Sequence, residues 1–295
     1  MTITASMVKT LRDRTGAGMM ECKKALTETG GDMEAAVEEL RKKGAAKADQ
    51  KAGRIAAEGV ISVATSENGK TGVLVEVNCE TDFVAKDANF KAFSGKVADI
   101  VLAQRPESVE ALAGLQIAGT DQSVEESRVE LFSKIGEKIG VRRFALVGPQ
   151  PGQRVAAYLH GSRIGVLVRI EGGRADLGRD IAMHVAASRP LYLTREDVPE
   201  TTLDKEREIF DAQAAESGKP LNIAEKIVAG RMQKFINEIT LLGQPFVKDP
   251  DQTVQQLLAS EDATVHEFVR FEVGEGIERK EDDFVAEVMA QAKGA

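Results

Sequence analysis

The side chains in this 295-residue chain best suited to do chemistry are three histidines and two cysteines, and their spacing argues against chemistry. Metal sites built from such residues use close ligand pairs, and His160, His184 and His266 are widely scattered. His160 reads as lying in a turn between strands, next to Tyr158 and Arg163. It could act there as a general base, although an exposed turn histidine at a surface contact is the commoner case. His184 falls within an apolar helical pattern and reads as a satisfied core residue. His266 has Glu267 beside it, too little for a metal. Cys22 and Cys79 each sit in an apolar pattern, as two buried free thiols of a reducing cytosol would. The glycines around Gly140, Gly148 and Gly152 do not form a phosphate loop ending in lysine and hydroxyl. The expectation is no catalytic residue, no metal and no cofactor.

A different kind of signal stands at Glu76-Val77-Asn78-Cys79-Glu80-Thr81-Asp82-Phe83-Val84. An apolar strand-like run from Gly72 to Val77 breaks into polar residues, then presents an aromatic flanked by Asp82 and Val84. With no reactive group nearby, Phe83 has two readings. It packs in the chain's own core, which periodicity alone favours, or it is a wedge pressed into another protein.

The elements that must position this segment follow from composition and period. The chain is 42% apolar and 29% charged, ordinary for a soluble globular protein, and long enough for two or more domains. Tryptophan is absent and aromatics make up 4%, so the core must rest on Ala, Val, Ile and Leu. A net charge of −8 disfavours a dedicated nucleic-acid binder. The charge is uneven: residues 1–54 hold 11 Lys and Arg against 8 Asp and Glu, and the rest is acidic. A weakly basic module on an acidic body could orient a partner. No basic-apolar leader pattern and no apolar run of membrane length is present, so the chain reads as cytoplasmic.

The pattern predicts an α+β protein. Residues 1–44 read as a three-helix unit: Val8 and Leu11 on one face, a break at Thr15-Gly16-Ala17-Gly18, then Cys22, Ala25 and Leu26 at helical spacing. Gly30-Gly31 closes the second helix, Asp32 caps the third, and Gly44 is expected to end it. Residues 45–58 read as a partly helical tether. Residues 59–145 begin with two strands around Glu67-Asn68-Gly69-Lys70, a hairpin signal. Helices follow over Ala88–Leu102 and roughly Ser123–Ile139.

The strand pattern recurs in 146–195. Val155 to Leu159 leads through a turn to Ile164-Gly165-Val166-Leu167-Val168, and Gly-Val-Leu-Val occurs at both 72–75 and 165–168. Each copy precedes a helix, the second over Asp180–Ala187, so duplicated subdomains are expected. Only the first copy carries Thr81-Asp82-Phe83-Val84; the second passes through Gly172-Gly173. Residues 196–243 read as a projecting helical hairpin, with Leu203, Phe210 and Ala214 facing Val228, Met232, Phe235, Ile239 and Leu242 across a turn at Ser217-Gly218-Lys219-Pro220. The seam leaves open a homodimer or a 2:2 complex. Residues 244–274 return to the core with a strand at Phe268–Val273, and 275–295 form a C-terminal helical module with a helix over Asp282–Ala292.

Two long stretches carry a family resemblance: the Glu76–Val84 segment and Leu11-Arg12-Asp13-Arg14-Thr15-Gly16-Ala17-Gly18-Met19-Met20-Glu21-Cys22-Lys23-Lys24-Ala25-Leu26. Together with Tyr158–Val168, Ile181–Ala187 and Phe271–Glu278, they make the chain resemble bacterial elongation factor Ts over essentially its whole length. The resemblance implies a ubiquitin-associated-like N-terminal module, a two-part core, a protruding hairpin and a C-terminal helical module. It implies guanine nucleotide exchange on elongation factor Tu, without a nucleotide site or covalent step of the chain's own. Asp82 and Phe83, between Thr81 and Val84, would enter the partner's G domain near its magnesium site. Lys23 would touch the same domain, Ile135 and Gly136 would extend the interface, and His160 would support contact from the second half.

Two rival classes make different demands. An RNA-binding accessory protein needs a basic, aromatic-bearing surface and steeply salt-dependent binding. An enzyme centred on His160 needs a pocket of converging polar groups.

Overall fold

The computed structural model describes residues 2–216 and 220–278. The expected terminal helix over Asp282–Ala292 and the arm's turn at Ser217-Gly218-Lys219 lie outside the described residues. The fold is mixed helix and sheet, as α+β patterning predicts.

Three helices open the chain. Thr4 caps α1 (Ala5–Thr15) by accepting from the Met7 N–H, and Gly16, at φ 67°, ends it by donating to Arg12 O at 2.7 Å. A left-handed residue of this kind satisfies a last-turn carbonyl and is least costly as glycine. Next come α2 (Met19–Glu28) and α3 (Met33–Gln50), closed around Leu11, Cys22, Ala25, Leu26 and Ala36. The helix end expected at Gly44 is absent: α3 runs on to Gln50. Gly44 faces Ser133 of a later helix so closely that a Cβ would collide with its side chain. The glycine there permits close helix packing rather than a stop.

The first sheet is antiparallel, in the order β1 (Glu58–Thr65), β2 (Gly72–Cys79), β3 (Ile139–Val147). Between β2 and β3 run α4 (Asp82–Lys86), α5 (Ala88–Gln104), α6 (Val109–Ala113) and α7 (Val124–Ile135). The helix expected to reach Ile139 stops at Ile135, because Gly136 takes φ 83° and the chain turns into β3. The second sheet repeats the plan as β4 (Gln153–His160), β5 (Ile164–Gly172) and, last among the described residues, β8 (Ala263–Glu272). Between β5 and β8 lie α8 (Leu177–Ser188), the paired arm helices α9 (Glu200–Glu216) and α10 (Leu221–Ile239), the short β6 (Pro245–Phe246) and β7 (Asp249–Thr253), and α11 (Val254–Ser260). Leu203, Ala214, Val228, Met232 and Ile236 bury the arm's seam.

The two Gly-Val-Leu-Val copies open the two central strands. The register shifts at the same relative place in both, between Glu76 and Val77 and between Arg169 and Ile170, where the facing strand carries the extra residue, Arg142 of β3 and His266 of β8. Helices α5 and α8 each end in a left-handed arginine, Arg105 (φ 50°) and Arg189 (φ 49°), and a proline follows each, which a continuing helix would not tolerate.

The layers are helix, sheet, sheet, helix. Val73, Val75 and Val77 face Phe90, Phe93, Val97 and Val101 of α5, while Val166, Val168 and Ile170 face Leu177, Ile181 and Val185 of α8. Leu74 and Leu167 point the other way, into the core between the sheets with Ile61, Val155 and Phe271. Burial on both faces explains the nearly continuous apolar run of β2.

One charge enters this interior. Glu76 is 0% exposed and accepts from Arg142 Nη1 (3.0 Å), Arg143 Nε (2.6 Å), Asn78 Nδ2 (3.1 Å) and the Gly274 N–H (2.8 Å). Burial pushes its carboxyl up; the Gly274 amide, Arg143, Asn78 and Arg142 outweigh burial and hold it below the usual carboxylate range. The carboxylate thereby ties the first sheet to the segment leaving β8.

Candidate surface for a protein partner

The turn after β2 is built around Thr81. Its extended backbone (φ −125°, ψ 156°) makes it the N-cap of α4, and its hydroxyl accepts from the Val84 N–H at 3.4 Å. The hydroxyl donates to Glu137 Oε1 at 2.8 Å, and the Thr81 N–H donates to Glu137 Oε2 at 3.0 Å. The Cys79 thiol donates to Thr81 O at 3.2 Å; burial, then the charges of Glu137 and Glu58, push that thiol up to about 12, so it remains an S–H donor.

From this cap the chain makes one short helix. Val84 and Ala85 turn into the first core, and Phe83 turns outward, 80% exposed. The core-packing reading of Phe83 is therefore excluded. Lys86 Nζ lies 2.6 Å from Asp82 Oδ2 and 5.9 Å from the centre of the Phe83 ring, and its bond holds the Asp82 carboxyl below the usual range.

Ile135 and Gly136 close α7, with the Gly136 N–H donating to Phe132 O at 2.7 Å. Gly136 O accepts from Lys51, and the next residue is Glu137, which grips Thr81. The Lys138 N–H donates to Glu80 Oε1 at 2.7 Å, while Arg54 Nη1 donates to Glu80 Oε2 at 3.1 Å. Lys138 Nζ also donates to Arg54 O at 2.8 Å. The segments 51–54, 80–84 and 135–138 thus form one hydrogen-bonded unit.

Lys23 is exposed on α2 and lines, with Ile135 and Gly136, a cleft of about 1550 Å³ between the N-terminal helices and α7. Many charges of this cleft are neutralised within it: Lys43 pairs with Glu28, Lys47 with Glu21, and Arg41 with Glu126 at 2.8 Å. At the head of the same helix Met19 and Met20 are 59% and 74% exposed. Sequence reasoning quoted these thioethers within a motif without selecting them; two adjacent methionines at a helix start, both off the buried stripe of Cys22, Ala25 and Leu26, were the available signal.

His160 ends β4, just before the turn in which it was expected, and is exposed with Nδ1 3.2 Å from the Tyr158 hydroxyl. The following turn docks on β1: the Ile61 N–H donates to Ser162 O at 2.8 Å, and Arg163 Nη1 meets Glu58 Oε2 at 2.6 Å. Glu58 pairs with Cys79 across the sheet, so His160 sits at the end of the molecule from which the Phe83 turn departs. His160 makes no hydrogen bond to Thr81–Val84.

Among the described residues no group of three His, Cys, Asp or Glu is arranged to hold a metal ion, and no helix is long and apolar enough to cross a membrane. His184 is buried: its Nδ1 accepts from the Val247 N–H at 3.1 Å, which leaves Nε2–H to donate to Gln244 Oε1 at 2.9 Å. His266 bonds Glu171 at 3.0 Å. An exposed ring, two exposed thioethers, an acid and a cation make a surface suited to contact.

These features fit a protein that binds another protein, offering a braced aromatic tip and, on α2, an exposed lysine with two exposed methionines. The family description "Elongation factor TS" matches residues 80–275. The chain is 61% identical to an elongation factor Ts of Thioalkalivibrio sulfidiphilus and 60% identical to one of Methylococcus capsulatus, in each case over the full length of both chains. It is 59% identical over 295 residues to that of Alkalilimnicola ehrlichii. The chain belongs to the elongation factor Ts family.

Proposed function

We infer that this chain is a translation elongation factor that exchanges guanine nucleotide on elongation factor Tu. It binds the GDP form of that GTPase, disturbs its magnesium and phosphate site, and holds the empty state until GTP enters. The single observation that carries the mechanism is Phe83, an aromatic 80% exposed on a turn whose every other apolar neighbour is buried.

In this reading Asp82 and Phe83, framed by Thr81 and Val84, enter the G domain near the metal. Lys23 and Met20, which line the cleft with Ile135 and Gly136, contact the same domain together with the neighbouring Met19. His160 adds contact from the second half. The N-terminal helices act as a ubiquitin-associated-like module and 275–295 as a C-terminal helical module. The α9–α10 arm is a further contact surface, for the GTPase or for a second copy in a 2:2 complex. The protein works in the cytoplasm, without direct contact to nucleic acid or membrane.

Energetics limit what the wedge does alone. Burying one Phe contributes roughly 1.5–3 kcal/mol, and about 1.4 kcal/mol is a tenfold change in affinity. Phe83 accounts for one to two decades of weakened nucleotide binding, by the same principles. Any larger effect comes from the whole interface preferring the empty GTPase. Coupling is reciprocal, so nucleotide that rebinds displaces the factor.

The test is stopped-flow release of a fluorescent GDP from elongation factor Tu. Catalytic amounts of the chain should accelerate release, and an unchanged rate would refute the assignment.

A further inference from the structure

We propose that Glu137 is a positioning residue for exchange: its carboxylate clamps Thr81 so that Asp82 and Phe83 meet the GTPase in one fixed geometry. The proposal rests on the reading of Phe83 as the exchange wedge.

The clamp is complete. Both Glu137 oxygens are used, one on the Thr81 N–H at 3.0 Å and one on its hydroxyl at 2.8 Å. The Thr81 carbonyl accepts the Cys79 thiol, and the hydroxyl oxygen accepts the Val84 N–H. The Ala85 N–H also donates to that carbonyl at 3.2 Å, so every polar atom of Thr81 has a partner, and Glu137 supplies two of the five bonds from 56 residues away.

The turn needs such support. Helix α4 spans only five residues, far below the length at which a helix stands unaided. Phe83, being outside the core, contributes no packing that would fix its own direction. What aims the ring is the cap, and what holds the cap from outside is Glu137. The second half of the core has a like clamp, Glu261 on the Arg174 N–H at 3.2 Å and on Arg174 Nε at 3.0 Å, but no aromatic follows it, so what sets the first half apart is the ring that its clamp aims.

A loosened tip would have to be ordered at each encounter, which weakens the wedged state. The Glu137→Ala variant of the full chain should lower the saturating GDP-release rate by roughly tenfold, with half-saturation changed less than about twofold, since the rest of the interface is intact. Glu137→Gln should stay within about twofold of wild type: its amide oxygen can accept from the Thr81 N–H while its NH₂ donates to the hydroxyl. In a Phe83→Ala background, Glu137→Ala should slow release no further, because the two act as one unit.

Wild-type rates for Glu137→Ala would overturn the proposal. So would a Glu137→Gln variant as slow as Glu137→Ala, which would mean that the charge itself acts on the partner, or additive losses in the double variant. Hydrogen exchange at the Thr81 amide, read without any partner, should speed up in Glu137→Ala and not in Glu137→Gln; equal protection in all three proteins sinks the clamp. If wild type itself fails to release GDP while Thr81 protection follows this order, the exchange reading fails and the clamp survives only as structure. Should Glu137→Ala not fold, Thr81→Val removes the hydroxyl bond and must slow release in the same direction.

Discussion

Gly165 stands against Leu74 so closely that a Cβ on the glycine would lie 2.8 Å from Leu74 Cδ2, and Gly72 stands in the same relation to Leu167, also at 2.8 Å. The first residue of each Gly-Val-Leu-Val copy thus receives the third residue of the other. The repeated tetrapeptide is a reciprocal lock between the two sheets, with glycine providing the space that leucine fills.

Filling that space should cost stability. Gly165→Ala would also bring a methyl within 2.5 Å of Ile61 Cγ2, so the sheets must move apart. A loss of about 1–3 kcal/mol is expected from such overpacking, read as a lower urea midpoint. An unchanged midpoint would show that the sheets separate freely.

Phe83→Ala should leave stability within about 0.5 kcal/mol of wild type, because an exposed side chain has little packing to lose. The same variant should slow nucleotide release from elongation factor Tu by at least several-fold, within the one to two decades a buried ring can supply. Equal release rates for the two proteins would end the wedge account.

Lys23→Ala should weaken the complex more than it affects melting. Lys23 is exposed and, among the described residues, has no carboxylate within ion-pair distance, unlike Lys43 and Lys47 of the same cleft. Titration calorimetry would read the loss as roughly a two- to fivefold rise in Kd, the scale of one exposed ion pair. Equal affinity would remove Lys23 from the interface.

His184 makes the fold acid-sensitive. Burial lowers its pKa, an effect that the Gln244 bond opposes, and the Val247 N–H occupies Nδ1, where a second proton would have to sit. The unfolded chain takes up that proton at about pH 6.5 and the folded chain only at lower pH. This contribution is therefore fully present above the unfolded value and lost as pH falls through the folded one. Urea midpoints should drop as pH falls below about 6.5, with a flatter profile in His184→Asn. Parallel profiles would acquit this histidine.

Much of the fold was legible locally. Glycine stops after α1 and α2, the Asp32 cap and the Asn68-Gly69 hairpin occur as read, since each is decided within a few residues; the arm's seam does too except at Leu242, which lies past α10 and packs into the second core. The third strand of the first sheet was missed, because Arg142 and Arg143 interrupt its apolar run; both pair with Glu76, a partner visible only after β2 and β3 align. The helix α11 was missed although its cap, Thr253 with Gln256, lies in plain sequence. The paired Arg-Pro ends of α5 and α8 were a second repeat signal left unread.

The order of residues alone determined the family, the duplicated strands and the absence of a counterpart to Phe83 in the second half. Its exposure was a tertiary decision: Phe83 points outward because Val84 and Ala85 take the core face of a helix that can accommodate only one side of that turn. The Glu137 clamp and the role of Gly44 are likewise tertiary, since they depend on α7 meeting β2 and α3 across long stretches of chain. Local preference chooses between helix and strand within a few bonds; which face becomes the outside is settled only when distant segments compete for the same buried volume.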